Sequence, residues 1–463
     1  MTNEKKKENL ITEGVIWRQL LLFFFPIVIG TLFQQLYNTA DAVIVGRFVG
    51  KAALASVGGS AAVLTYQVVM FFTGLSSGAS VIISQYFGAG DHKNLHKALH
   101  TAYAFSIIAS ILIGIAGYSV TPWLLRIMNT PAEIMADSVL YLRIYFSGII
   151  FTLVYNMGAA IMRAVGDSKR PLYYLIVCCI TNIGLDLLFV IVFQMGIAGA
   201  AIATIIAQAV SAVLVTRALI KSYDTLKLNL KHLRPDLQVL KSELRIGMPG
   251  GIQSLMYGLT NVIIQSAINS FGTDTAAAWA AFGKLDILFW AVSGAFGITA
   301  ATFSGQNYGA GKPDRVYKSV RVSLGMSLCV CGTILATLML FSRPLMCLFT
   351  TDAAVIDIGV YMMIYVLPSY IIYVFVEILN AALRGMGDVL IPTLITLGGV
   401  CGVRLPWILF VVPMHRELSA ILISYPIAWA ATTILLIPYY FYKKRLQKRQ
   451  DFFQKIVDIL QPL

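Results

Sequence analysis

Long apolar segments separated by short polar ones recur along the whole chain. Each apolar segment is about twenty residues or longer, and at about 1.5 Å rise per residue a helix of that length crosses a bilayer core. The pattern therefore predicts an all-α polytopic membrane protein with twelve transmembrane helices. The predicted spans are 18–45, 53–83, 96–119, 137–163, 171–193, 196–219, 246–271, 276–304, 318–341, 355–383, 390–412 and 419–442.

The two halves of the chain resemble each other. The longest polar interval, residues 220–245, divides the spans six and six. Gly88-Ala89-Gly90 follows span two, and Gly309-Ala310-Gly311 follows span eight 221 residues later. The same offset aligns "IMRAVGDSKRP" with "ALRGMGDVLIP". One constant offset predicts a duplication. Because each half has an even number of spans, both insert in the same orientation, as two six-helix lobes.

The repeat and the polar intervals together predict four regions. They are an N-terminal six-helix lobe (1–219), a cytoplasmic linker between the lobes (220–245), a C-terminal six-helix lobe (246–442) and a basic, amphipathic cytoplasmic tail (443–463). The tail alternates basic and apolar residues in a way that is typical of helices that lie on the inner membrane surface.

The charges fit a membrane protein better than a nucleic-acid-binding one. Only 12% of the residues are charged and 58% are hydrophobic, against about a quarter and about half in soluble chains. With a cytoplasmic N-terminus, all but eight of the 35 Lys and Arg residues fall in the termini and inward loops. This asymmetry predicts that both termini are cytoplasmic. No basic face on a soluble module is present, so nucleic acid is not an expected partner.

Four carboxylates fall inside predicted spans: Asp41, Asp186, Asp286 and Glu377. A charge at the bilayer centre costs at least ~2.5–3.5 kcal/mol, so such residues face a partner or a cavity. Counting from the inner ends of spans one and five places Asp41 and Asp186 in the outer half of the membrane. Asn182 shares a helix face with Asp186, and Thr204 on span six reaches a similar depth.

These side chains present hard oxygen ligands. Such a site suits Na⁺, or one proton shared by two buried carboxylates. The alternative is that each acid is merely hydrogen-bonded within the lobe. No metal beyond Na⁺ is expected, because the stripe His92, His96 and His100 has no histidine counterpart in the second half. No cofactor is expected either.

Several segments resemble the multidrug and toxic compound extrusion (MATE) transporters, nearest to their bacterial DinF-like branch. The resemblance covers essentially the whole chain. It rests on "PIVIGTLFQQLYNTADAVIVGRFVG", the paired "GAG" loops, "RAVGD" with "RGMGD", and "TNIGLDLLFV". It implies a secondary transporter rather than an enzyme, with no catalytic residues, in the bacterial inner membrane. Small organic substrates and the lipid bilayer are the implied partners, and we expect a monomer.

The resemblance also implies a single cation or proton site in the N-terminal lobe. Asp41, Asn182, Asp186 and Thr204 match the family pattern, and Tyr141 is an expected neighbour. In the second lobe, the 221-residue offset places Val403 and Trp407 at the positions of Asn182 and Asp186. The second lobe is therefore expected to lack this site.

The expected substrate cavity involves polar and aromatic residues of both lobes: Pro26, Gln34, Tyr37, Asn38, Asn156, Tyr257 and Glu377. Pro26 lies inside span one, where its missing N–H favours a kink, and in the family bending there is linked to protonation. Tyr257 and Tyr373 stand where NorM-like members carry acids, which disfavours a second-lobe Na⁺ site. Glu377 is either a cavity residue or a structural partner, and Lys284 and Asp286 are similarly open.

The function implied is a multidrug efflux antiporter driven by H⁺ or Na⁺, exporting organic, often cationic, compounds by alternating access. The alternative is a lipid-linked saccharide flippase of the same superfamily. Flippases of this type often have extra spans and a basic cavity, whereas this chain has twelve predicted spans and an acidic site. No G-x-x-x-x-G-K-[ST] loop is present, which disfavours an ATP-driven pump.

The predicted topology can be tested with reporter fusions. Alkaline phosphatase, which is active only outside the cytoplasm, should be inactive when fused after Leu463 and active when fused after Asn129 in the loop between spans three and four. Green fluorescent protein at the C-terminus should fluoresce. Phosphatase activity at Leu463 would contradict the orientation that the basic residues predict.

Overall fold

The computed structural model describes residues 10–221 and 226–460, and within them every regular element is a helix. The elements of the first half are α1 (Leu10–Glu13), α2 (Ile16–Ile44), α3 (Lys51–Gly58), α4 (Ser60–Ala89), α5 (His92–Ile127), α6 (Ala132–Ser147), α7 (Ile149–Ala164), α8 (Lys169–Asp186) and α9 (Gly196–Lys221). Two π-helical segments, Val45–Val49 and Leu187–Val192, extend α2 and α8.

The second half has the same character. After the short 3₁₀ turn Leu230–His232 come α10 (Leu237–Asn269), α11 (Thr273–Leu285), α12 (Ile287–Gly309), α13 (Pro313–Leu340), α14 (Ser342–Cys347), α15 (Ala353–Val366), α16 (Tyr370–Gly385), α17 (Leu390–Pro406), α18 (Val412–Met414), α19 (Leu418–Leu422) and α20 (Ser424–Leu460). The 3₁₀ turn Leu367–Ser369 joins α15 to α16, and the π-helical segment Trp407–Val411 extends α17.

The prediction of an all-α polytopic membrane protein is confirmed. Among the described residues, ten helical segments are long and apolar enough to cross a membrane, and the pair α6 and α7, bent by 50°, makes an eleventh. The remaining long helix is α10, with 33 residues. Its polar side chains, among them Gln253, Asn261 and Gln265, make it less apolar than the others. Twelve long helical segments thus correspond to the twelve predicted spans.

The duplication is visible in the backbone as well as in the sequence. Gly90 and Gly311 have φ values of 69° and 65°, and Gly166 and Gly387 have φ values of 91° and 87°. Each pair is separated by 221 residues and ends a helix in the same way. L-amino acids with a side chain rarely adopt these angles, so glycine is required at both copies of each turn.

The chain forms two compact units that differ from the predicted lobes (1–219 and 246–442). One unit is Arg18–Leu255, and the other is Met256–Leu463 together with the residues up to Trp17. The first half of α10 belongs to the first unit because its glycines approach α4 closely. A Cβ on Gly78 would clash with the carbonyl oxygen of Glu243, and Gly74 faces Gly250 and Gly251 in the same way.

Helix α1 belongs to the second unit because basic side chains there bind its exposed carbonyls. Nε and Nη2 of Arg315 donate to the carbonyl oxygen of Ile11 at 3.1 and 3.0 Å, and Nη2 also donates to that of Gly14. Lys312 Nζ donates to the carbonyl oxygen of Thr12 at 3.1 Å. The sequence placed these residues in the N-terminal lobe because they precede span one, and the structure places them with the C-terminal half.

The described part of the linker is fixed to α5. Nε2 of His100 accepts the backbone N–H of Asn229 at 3.0 Å, and its Nδ1 donates to the carbonyl oxygen of His96 at 2.8 Å. Both ring nitrogens of His100 therefore have backbone partners. Among the described residues, no group of three His, Cys, Asp or Glu side chains could hold a metal ion. The histidine stripe serves to hold the linker.

Asp236 anchors the other end of the linker at the start of α10. Its carboxylate accepts the backbone N–H groups of Val239 and Gln238, and these bonds hold its pKa below the ordinary value. Lys97 of α5 lies 3.7 Å from the same carboxylate. A lowered pKa means that this contribution to stability is present near neutral pH and is lost as the pH falls through the folded-state pKa.

The predicted tail, residues 443–463, continues α20 without a break as far as Leu460. Span twelve and the tail are thus one helix. The side chains from Gln450 onward, and residues 461–463 altogether, lie outside the described residues. The amphipathic contact of the tail with the membrane surface stays a prediction.

The close approach of α4 and α10 predicts a strong asymmetry between two glycine substitutions. Gly78→Ala forces the two backbones apart, and overpacking of this kind costs about 1–3 kcal/mol. Gly325→Ala in α13 is the matched control, because nothing lies within 4 Å of its added Cβ. We expect a lower midpoint of thermal unfolding for purified Gly78→Ala and an unchanged or higher one for Gly325→Ala. Equal behaviour of the two would contradict this packing.

Candidate functional site

Three helices of the first unit bring the predicted ion ligands together. Helix α2 carries Asp41, α8 carries Asn182 and Asp186, and α9 carries Thr204. Asn182 and Asp186 have no exposed surface, Thr204 is nearly buried, and Asp41 is half-buried. Nδ2 of Asn182 donates to Oγ1 of Thr204 at 3.5 Å, a long hydrogen bond that joins α8 to α9. We call these four residues the acidic site.

The acidic site contains more acceptors than donors. The carboxyl groups of Asp41 and Asp186 lie within hydrogen-bonding reach of each other. Both oxygens of Asp186 and Oδ1 of Asp41 are nevertheless buried without a partner, and Oδ1 of Asn182 is too. Two ionised carboxylates cannot donate to each other, so the site needs a proton or a cation to satisfy these oxygens.

Tyr141 lies where the sequence predicted it, beside this pair. Its ring is largely buried, and its hydroxyl is close enough to Asp41 and Asp186 to feel both charges. It also stacks on Tyr145, with ring centroids 6.4 Å apart. Helix α6 therefore forms an aromatic wall of the acidic site.

Two further residues belong to this neighbourhood. Gln208 follows Thr204 by one helical turn, and its Oε1 is buried without a partner. The hydroxyl of Tyr37, one turn before Asp41, lies next to Gln208. The sequence analysis did not include Gln208 and assigned Tyr37 to the substrate cavity. Their one-turn spacing from Thr204 and Asp41 was a usable signal.

Local irregularities in the helices adjoin both carboxylates. The π-helical segment Leu187–Val192 begins directly after Asp186, and Val45–Val49 begins one turn after Asp41. π-Helical turns are often found at functional sites. The segment Trp407–Val411 occupies the position of Leu187–Val192 in the second half. This irregularity belongs to the repeated fold and does not depend on the carboxylate.

The predicted cavity residues of the first unit occupy different environments. Gln34 and Asn38 are exposed on α2, whereas Pro26 is buried within it. Helix α2 runs without interruption through Pro26. Asn156 of α7 is half-buried, and its Nδ2 donates to the carbonyl oxygen of Thr152 at 2.9 Å. A role of these residues in a substrate cavity stays a prediction.

In the second unit, the predicted cavity residues and the two undecided ones also differ. Glu377 is half-buried, accepts the hydroxyl of Tyr373 at 3.0 Å and packs against the backbone of Gly297. Tyr257 is half-buried. Lys284 is exposed and Asp286 is buried, so the two residues face different surroundings.

The donors of the acidic site fit a small hard cation. Carboxylate, amide and hydroxyl oxygens are typical ligands of hard cations in proteins. Asp41, Asn182, Asp186 and Thr204 would hold Na⁺ through such oxygens, and the two carboxylates alone would hold one proton. The chemistry of these residues suits either ion.

A polytopic helical protein built from two repeats, with charged residues buried in one of them, is a membrane transporter. The MatE family model matches residues 26–188 and again 249–409, and the two matches end 221 residues apart. The chain therefore belongs to the MatE family of multidrug and toxic compound extrusion transporters. The sequence-based prediction of this family is confirmed.

Known proteins similar to this chain agree with the family. "Probable multidrug resistance protein YoeA" of Bacillus subtilis is 28% identical over 450 residues, which are 94% of this chain and 97% of that one. "Probable multidrug resistance protein YpnP" of the same organism is 32% identical over 66% of this chain and 68% of its own. A solved MOP superfamily transporter from Pyrococcus furiosus has a TM-score of 0.88 at 20% identity, covering 96% and 99% of the two chains.

The unsatisfied oxygens predict that neutralising one carboxylate stabilises the protein. An unpartnered buried acceptor costs about 1–3 kcal/mol, and Asp186→Asn both removes a charge and supplies an amide donor for Asp41. We expect a higher midpoint of thermal unfolding for Asp186→Asn than for the unchanged protein at pH 8 without Na⁺. The exposed Asp274→Asn is the control and should behave like the unchanged protein. A lower midpoint for Asp186→Asn would contradict the acceptor surplus.

Proposed function

We propose that the protein is an antiporter that exports organic, often cationic, compounds and is driven by inward movement of H⁺ or Na⁺. The observation that carries this proposal is the acidic site, where two buried carboxylates lie together without a donor. The names of the two Bacillus subtilis relatives, which refer to multidrug resistance, support the substrate class. We further propose that the protein works as a monomer with both termini in the cytoplasm.

The chemistry of exchange follows from the surplus of acceptors. When the site opens to the outside, Asp41 and Asp186 take up one cation or proton, which removes the repulsion between them. When it opens to the inside, where the ion is scarcer, they release it. The conformation that each charge state favours then determines whether a substrate cation is bound or released.

The membrane potential is sufficient to drive such a cycle. One elementary charge that crosses the membrane gains about 2.3 kcal/mol per 100 mV. A tenfold concentration gradient corresponds to about 1.4 kcal/mol. One or two coupling ions per cycle therefore support a substantial outward gradient of a substrate.

The flippase alternative is weaker on the same ground. Recognition of a pyrophosphate linkage requires positive charge, and Arg is the side chain best suited to bind phosphate oxygens. The acidic site has the opposite sign. A lipid-linked precursor that accumulates after deletion of the gene, with unchanged drug tolerance, would favour the flippase.

Transport in proteoliposomes tests the antiporter proposal. The purified protein should accumulate an organic cation such as ethidium against its gradient when a pH gradient or a Na⁺ gradient is imposed separately. Asp41→Asn should abolish the driven component because the remaining carboxylate no longer shares an ion with a second one. The exposed Asp274→Asn is the matched control. Driven transport that is equal in Asp41→Asn and the unchanged protein would remove Asp41 from coupling.

A further inference from the structure

The second unit contains a buried acid and a buried base among four aromatic rings. Oδ2 of Asp286 accepts Nε1–H of Trp290 at 2.9 Å and the hydroxyl of Tyr370 at 2.6 Å. The rings of Trp290, Tyr370, Tyr425 and Trp429 pack edge-on or tilted against one another, with centroids 5.2–6.4 Å apart. We call these four rings together with Asp286 the aromatic cage.

Arg404 occupies this cage. Its guanidinium carbon lies 4.0 Å from the ring centroid of Tyr425 and 5.4 Å from that of Trp429. Its Nε and Nη2 are buried without a hydrogen-bond partner. Within the described ranges, no ion pair joins Arg404 to a carboxylate. The arginine is thus held by the ring faces alone.

Burial of a guanidinium group with two unsatisfied nitrogens is costly, so its presence needs a reason. The fold does not supply one, because the 221-residue offset places Ile183 at the equivalent position of the first half. Cation–π contacts with Tyr425 and Trp429 compensate only part of this cost. Aromatic faces next to a carboxylate are the surroundings that proteins use to bind organic cations.

The position of the cage in the repeat points the same way. The offset places Tyr425 at the position of Thr204 and Trp429 at that of Gln208. The place that holds oxygen ligands in the first unit therefore holds aromatic rings in the second. Oxygen ligands suit a small ion, and aromatic rings suit an organic cation.

We propose that the aromatic cage binds organic cations with a planar guanidinium-like head group, and that Arg404 occupies the cage until such a ligand displaces it. The proposal rests on the transport of organic cations proposed above and specifies one class among them. Asp286 supplies the counter-charge, and the rings of Tyr425 and Trp429 hold the flat head group. Trp290, about 36% exposed, is where the cage reaches the surface of the chain.

Equilibrium binding to the purified full-length protein tests this proposal. The probes are benzamidine, a flat cation, and benzamide, its neutral counterpart of similar shape, with binding measured by calorimetry. Removal of the competing guanidinium in Arg404→Gln should tighten benzamidine binding by about 3- to 30-fold, the range expected for a lost cation–π competitor. Benzamide binding should not change. Arg343→Gln, at an exposed arginine of the same unit, is the control and should bind benzamidine like the unchanged protein.

Two further variants make the outcome decisive. Asp286→Asn combined with Arg404→Gln should lose the gain, because the counter-charge is gone. Arg404→Lys keeps the charge but stacks less well on the rings, so it should show a smaller gain and remains informative if Arg404→Gln does not fold. Unchanged or weaker benzamidine binding, an equal gain for benzamide, or a gain that survives without Asp286 would overturn the proposal. Ion-driven efflux by the unchanged protein is a separate readout, so either proposal can fail alone.

Discussion

Two carboxylates buried at one place in a low-dielectric protein interior cannot both remain ionised and unpartnered. Asp41 and Asp186 are in this situation, on helices that are far apart in sequence and adjacent in the first unit. The constraint makes the state of the site depend on one small ion. It also explains why amide and hydroxyl side chains surround the pair, since Asn182 and Thr204 complete a set of oxygen ligands without adding charge.

The two halves have kept the backbone of a common ancestor and replaced its chemistry. The glycine turns, the MatE match and the π-helical segment after span five recur at one offset. At that same offset Asp186 corresponds to Trp407, and Thr204 corresponds to Tyr425. One half is thus suited to small hard ions and the other to flat aromatic contacts. A transporter that exchanges a small ion for an organic molecule needs both kinds of surface.

The sequence predicted the fold and much of the acidic site, for identifiable reasons. Asp41 and Asp186 could be placed because charges are rare in membrane spans and helix rise gives their depth. Gln208 was missed although its spacing from Thr204 was visible. The π-helical segments were not predictable, because they depend on hydrogen-bond register and not on composition. The cage around Arg404 was also missed, since its members lie on several helices and share no spacing that a sequence displays.

The two passages of the chain between the compact units fall at Trp17–Arg18 and Leu255–Met256, within α2 and α10. Neither lies in the polar interval 220–245, whose described part is bound to α5 through His100 and Asp236. Elasticity in this molecule is therefore a property of two continuous helices, and the connecting segment is a brace. Pro26 and Pro249, each inside one of these two helices, weaken the backbone ladder where stiffness would otherwise be greatest.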